Sequence, residues 1–288
     1  MSRAKRIIST ILCIVGIGLL TTAIALYLSY IREDSRAKES LADISQPTFS
    51  PAPVAPTATP EPPEKTPEIE VCPATSTPQP TDTPVPAITN PYLDGYLANE
   101  DMVGWLVIPG TNVNYPVMWT PQDENYYLYR DFDKKDNKNG SLILDTDSCL
   151  DPLTTNLIIH GHNMKSGAMF GNLTDFEKKD YYLEHPQIIL YTKECQRNYE
   201  IIAVFRSQVY KKSDNVFKFY QFFQADTESE FLDFYENIKS LSLYDTGVTA
   251  TFGDRFITLS TCVYHVKNGR FVVVARELPP GDQYLPID

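Results

Sequence analysis

The sequence lacks a basic stripe. Its 25 Lys and Arg are outnumbered by 37 Asp and Glu, for a formal net charge of −12, and no Lys/Arg-rich run appears in the C-terminal region. Phosphate backbones are held by clustered cations, so the composition argues against nucleic acid as a partner. Cys-x-x-Cys pairs are also missing. The five cysteines, Cys13, Cys72, Cys149, Cys195 and Cys262, stand far apart, which excludes a zinc ribbon or a thioredoxin-like redox centre. Spacing does not decide whether Cys149 and Cys195 pair as a disulfide. There is no internal repeat and no His-Glu-x-x-His pattern; His160, His162, His185 and His265 are the only histidines.

Charged side chains are absent from residues 7–31. A helix of that length is roughly 37 Å long, enough for a hydrocarbon core of about 30 Å. Arg3, Lys5 and Arg6 precede it and predict a cytoplasmic segment 1–6, although Arg32, Arg36 and Lys38 follow the run. Ala23-Ile24-Ala25 resembles a signal-peptidase site, but Leu26, Leu28 and Ile31 carry the apolar run past it, so an uncleaved anchor is expected over 7–31. Many of the 22 prolines fall between 46 and 90, among Thr, Ser, Ala and Glu. Such a stretch buries too little apolar surface to offset chain ordering, which makes 32–90 a tether, with a glycosylated stalk as the alternative. Extended at ~3.1 Å per residue, the proline-rich part reaches on the order of 140 Å.

Ordered structure is expected from residue 91 to 288. Asn90-Pro91 reads as a cap followed by Pro at the first helical position, with Leu93, Tyr96 and Leu97 on one face. Short apolar runs follow at 105–108, 113–118, 141–145, 156–160, 187–191, 199–207, 248–252, 255–261 and 271–277. They are rich in Val, Ile, Tyr, Phe and Thr, and turn residues separate them, as expected of strands. Thr227-x-x-Glu230 is a capping-box pattern opening one longer helix over 227–241, with Phe231, Phe234, Tyr235, Ile238 and Leu241 at helical spacing. Many short strands and few helices predict a mainly β barrel or sandwich.

Three features carry chemistry. Cys262 closes the apolar strand Thr258-Leu259-Ser260-Thr261-Cys262, His160-Gly161-His162 sits at another strand end, and Arg270 opens the strand Phe271-Val272-Val273-Val274. A lone strand cysteine is ordinarily a small buried hydrophobe. Nearby hydroxyls and a basic side chain shift the reading toward a thiolate nucleophile. His-x-His is also a metal-ligand spacing, but a metal needs a third ligand and the sequence offers no pattern for one. If 255–262 and 270–277 are hairpin neighbours, the Arg270 guanidinium lies beside the thiol and can donate to a developing oxyanion. Two alternatives stand beside a cysteine enzyme: a hydrolase using the two histidines with a metal, and a non-catalytic surface module with Cys262 buried.

The block T-L-S-T-C at 258–262, followed after seven residues by R-F-V-V-V-A-R, resembles the cysteine and arginine strands of sortases. H-G-H-N-M-K-S-G-A-M-F-G-N-L at 160–173, V-G-W-L-V-I-P-G-T-N-V-N-Y-P-V at 103–117 and Y-Y-L-Y-R-D-F-D at 126–133 resemble class B of that family. The resemblance implies an eight-stranded β-barrel with a short N-terminal helix and a helix in the long loop before the cysteine strand. It implies Cys262 as nucleophile, His162 as general acid/base and Arg270 as oxyanion stabiliser. Ser260 and Thr261 are implied to contact substrate, and no metal or organic cofactor is required. The implied partners are exported proteins with a C-terminal sorting signal and an amine of a cell-wall precursor or another protein. No sorting signal of its own is evident near residue 288, so the chain is expected to be the enzyme.

Overall fold

The computed structural model describes residues 14–29, 31–32, 35 and 90–279. Helix α1 covers 14–29, within the run read as an anchor, and displays Ile14, Leu19, Leu20 and Leu26 on its surface. No helix among the described residues is long and apolar enough to cross a membrane. Residues 1–13, Cys72 and the tether between 36 and 89 lie outside the described residues.

Eight strands form one closed barrel in the order β1-β2-β3-β4-β7-β8-β6-β5. They are β1 Met102–Val107, β2 Asn114–Met118, β3 Leu142–Leu144, β4 Asn156–Gly161, β5 Gln187–Tyr191, β6 Gln196–Gln208, β7 Phe256–Cys262 and β8 Gly269–Glu277. Two pairs, β2/β3 and β4/β7, are parallel and the others antiparallel. Closure leaves no free sheet edge, the usual point of unwanted pairing.

Alternation along each strand sorts the side chains. In β7 the odd positions Ile257 and Leu259 enter the barrel core with Leu157, Ile159, Phe271 and Val273. The even positions Thr258 and Ser260 face outward. On the outside, helix α4 (Glu228–Leu241) lays Phe231, Phe234 and Ile238 over Phe205, Phe256, Val272 and Val274. Strand β8 is therefore covered on both faces, and Phe271 to Ala275 are all buried. That explains a continuous apolar run where a half-exposed strand would alternate.

The capping box at the start of α4 is complete: Glu230 N–H donates to the Thr227 hydroxyl and Thr227 N–H to the Glu230 carboxylate. The expected cap at Asn90 takes another form. Helix α2 begins at Leu93 (Leu93–Ala98) without a side-chain cap, while Asn90 accepts from Tyr92 N–H and donates to the Thr192 carbonyl. Asn90 thus ties the domain start to the turn after β5. Helix α3 (Lys179–Glu184) was not anticipated. The run 248–252, read as a strand, is not one. With the barrel already closed it has no ladder to join, and it lies against α4, with Phe231 and Phe252 edge to face and Lys239 donating to the Val248 carbonyl.

Candidate active site

Cys262 is the last residue of β7, and its cross-strand partner is Arg270, the second residue of β8. Directly opposed residues of an antiparallel pair share a face, so the thiol and the guanidinium project from the same outer side of the barrel. Cys262 is exposed. The turn joining the two strands is tight: Val263 N–H donates to the Gly269 carbonyl and Gly269 N–H to the Val266 carbonyl. A Cβ on Gly269 would lie 2.4 Å from the Val263 carbonyl oxygen, so glycine is needed there for the strands to close at this register. Nη1 of Arg270 donates to the carbonyls of Gly269 and Asn268. That fixes the base of the guanidinium and leaves Nε and Nη2 for another acceptor.

Strand β4 runs parallel to β7, with His160 beside Ser260 and Gly161 beside Thr261. His162 follows immediately. Gly161 occupies an inward position, where a Cβ would sit 2.6 Å from both Leu142 and Phe170 side chains. The two histidines flanking it therefore both turn to the outside. His160 and His162 line one cleft of about 470 Å³ together with Ser260, Thr261, Cys262 and Arg270. Leu128, Tyr129, Ile143 and Asp145 also line it.

The His162 ring is half-buried and faces the Leu128 carbonyl, with Tyr129 against it at a centroid distance of 5.4 Å. Burial penalises the imidazolium and pushes the His162 pKa below its ordinary value, and the carbonyl only partly offsets this. Leu128 belongs to a 3-10 turn, Tyr126–Tyr129. Within it, buried Tyr127 donates to Asp101 at 2.8 Å and accepts from Asn99 at 2.9 Å. The turn that faces His162 is thus held by a separate polar network.

Two further links hold the histidine segment to the cysteine strand. Asn163 Nδ2 donates to the Cys262 carbonyl at 2.9 Å, and the Thr261 hydroxyl donates to the Gly161 carbonyl at 2.7 Å. Thr261 is 2% exposed, and its hydroxyl is already engaged with the barrel. Ser260, also buried, lies on the cleft floor with an oxygen that has no hydrogen-bond partner. Cys149 and Cys195 are free thiols. His185 bonds the Pro109 carbonyl, and no group of three or more His, Cys, Asp or Glu side chains among the described residues is placed to hold a metal.

Cys262, His162, Arg270, Ser260 and Thr261, all named from the sequence, line this cleft. Asn163, the Leu128 carbonyl and an Asp145–His160 pair were missed. Asn163 stands within the histidine motif and was open to notice. A backbone carbonyl carries no residue signature, and Asp145 ended an ordinary strand run.

The family model described as Sortase domain matches residues 106–278. Among curated proteins, Sortase B of Listeria monocytogenes is 33% identical over 168 residues, covering 57% of this chain and 63% of that protein. Sortase B of Staphylococcus aureus is 29% identical over 180 residues, covering 62% and 70%. The match thus spans less than two thirds of the Listeria protein. Among solved structures, a Staphylococcus aureus sortase B–substrate complex superposes with a TM-score of 0.58 at 29% identity, covering 66% of this chain and 85% of that one. Clostridium perfringens sortase B gives 0.58 at 26% identity, covering 64% and 98%.

Proposed function

The chain belongs to the sortase family, and from that premise we propose that it is a cysteine transpeptidase of the class B type, held at the membrane by residues 7–31. The observation that carries this reading is the pairing of Cys262 with Arg270 in one cleft with His162. A thiol, a half-buried imidazole and a guanidinium are the groups that acyl transfer through a thioester needs.

In the proposed reaction the Cys262 thiolate attacks the carbonyl of a scissile peptide bond in a C-terminal sorting signal. The C–S bond forms and the carbonyl electrons move to oxygen, where Arg270 donates hydrogen bonds to the anion. Collapse breaks the C–N bond as His162 gives its proton to the departing amine, leaving a thioacyl enzyme. An incoming amine, from a cell-wall precursor or another protein, attacks the thioester and loses a proton to His162. The new amide leaves and the thiolate returns. No step needs a redox partner.

Residues 1–6 would lie in the cytoplasm, 7–31 would span the bilayer, 32–90 would act as tether, and 91–288 would be the catalytic domain outside the cell. The absence of charge over 7–31 and the exposed apolar side chains along 14–29 support the anchor. The test uses the purified full-length chain and a library of C-terminal signal peptides, comparing wild type with Cys262→Ala. The expected result is a trapped acyl-enzyme of defined mass in the wild type alone. No acyl-enzyme with any peptide, or equal cleavage by Cys262→Ala, would overturn the assignment.

A further inference from the structure

His162 stands one residue past the end of β4, so no sheet ladder holds its carbonyl. That carbonyl accepts instead from Phe170 N–H at 3.0 Å. One residue on, Asn163 pairs with Met169 in an isolated antiparallel bridge, and Asn163 Nδ2 reaches the Cys262 carbonyl. Between these ends the chain closes on itself, with Gly167 N–H donating to the Met164 carbonyl. Residues 162–170 thus form a closed loop, joined at His162–Phe170 and Asn163–Met169.

Met169 stands apart in that loop. The non-glycine residues with left-handed backbone, among those described, are Lys134, Met169 and Asn268. Lys134 and Asn268 are exposed turn residues. Met169, at φ 53°, is 5% exposed and belongs to the core cluster of Leu142, Phe170 and Leu173. Glycine takes this conformation without steric cost, and the same loop uses Gly167 at φ 81°. A side chain persists in a left-handed residue only where its surroundings over-determine the conformation. Here the backbone of Met169 aims Phe170 N–H at the His162 carbonyl, and the buried side chain pins that turn to the core.

We propose that Met169 is a positioning residue for the transfer reaction: its buried side chain holds the left-handed turn that sets the His162 backbone and, through Asn163, the Cys262 carbonyl. Met169 does not itself line the cleft, so it acts only through these two neighbours. This inference rests on the transpeptidase reading and adds to it a device that keeps imidazole and thiol in one frame.

The test uses the full-length chain and compares Met169→Gly, Met169→Leu and Phe234→Ala. Glycine keeps the left-handed turn and removes the pin, whereas leucine keeps an apolar pin of similar size. Phe234→Ala loosens the separate outer cluster under α4. Met169→Gly should lower kcat about tenfold with KM nearly unchanged, because the loop orders reacting groups without binding substrate. Its His162 should titrate in NMR spectra nearer the ordinary value of about 6.5, since a loosened ring gains solvent. Met169→Leu should keep the wild-type kcat and titration. Full kcat with an unmoved His162 titration in Met169→Gly would overturn the proposal, whatever its Tm. So would the same two changes in Phe234→Ala, which mark a general effect of destabilisation. If Met169→Gly does not fold, Met169→Ala is read by the same criteria. A wild type that forms no acyl-enzyme with any peptide overturns the transpeptidase reading, and the His162 titration then still decides what the loop does.

Discussion

Cys262 and Arg270 face each other across the β7–β8 ladder, one residue from the turn that joins the strands. The opposition aligns a nucleophile with a charge that can meet the oxyanion it creates. Arg270→Ala should therefore lower kcat by about 10²–10³, as loss of an oxyanion donor does. Arg270→Lys should recover only part, because a point charge does not reproduce the planar fork. Single-turnover acylation rates measure this, and an effect confined to KM would count against the oxyanion role.

The pH profile follows from burial of His162. Its folded-state pKa is lowered, so acidification protonates it later than a solvent-exposed histidine. The acid limb of kcat/KM should fall below the ordinary histidine value of about 6.5. The reaction needs a single proton shared between Cys262 and His162, so activity should hold through mildly acidic pH and then drop as the pair takes up a second proton at the imidazole. An acid limb above about 6.5 in a kcat/KM titration would contradict it.

Gly161 separates the two cleft histidines. Gly161→Ala pushes a methyl into Leu142 and Phe170, and overpacking of this kind costs about 1–3 kcal/mol. Displacing the end of β4 also moves His162, so the variant should lose activity out of proportion to its fall in Tm. Wild-type acylation in Gly161→Ala would show that the strand end absorbs the methyl without moving the imidazole.

Asn163 joins the histidine segment to the Cys262 carbonyl. Asn163→Ala should leave KM nearly unchanged and lower kcat by about tenfold, since the bond positions the nucleophile without touching substrate. A rise in KM alone would place Asn163 in substrate binding instead.

Helix α4 tests the outer layer. Thr227→Ala removes the cap and should cost about 1 kcal/mol. Phe234→Ala opens the fully buried aromatic cluster and should cost about 3–5 kcal/mol. Urea unfolding separates the two; equal effects would mean that α4 does not seal β6 and β8.

Much of this was legible before any fold was seen. The β5 run was read to its ends, 187–191, because alternation and flanking turns agree there. The α4 capping box was legible because its hydrogen bonds are local. The misread run 248–252 has the composition of a strand, and only barrel closure denies it a partner. Asn90 was legible as a polar start to the domain but not as a tie to the distant Thr192 carbonyl.

The sequence by itself determined the mainly β class, the cysteine at a strand end and the net acidic charge. These depend on side-chain type and short-range periodicity. Tertiary structure decided the rest. It brought β4 alongside β7, set Cys262 opposite Arg270, and turned both histidines outward because Leu142 and Phe170 fill the space beside Gly161. It also buried His162 against the Leu128 carbonyl. Such relationships span up to a hundred residues, and register, burial and desolvation exist only once the barrel has closed.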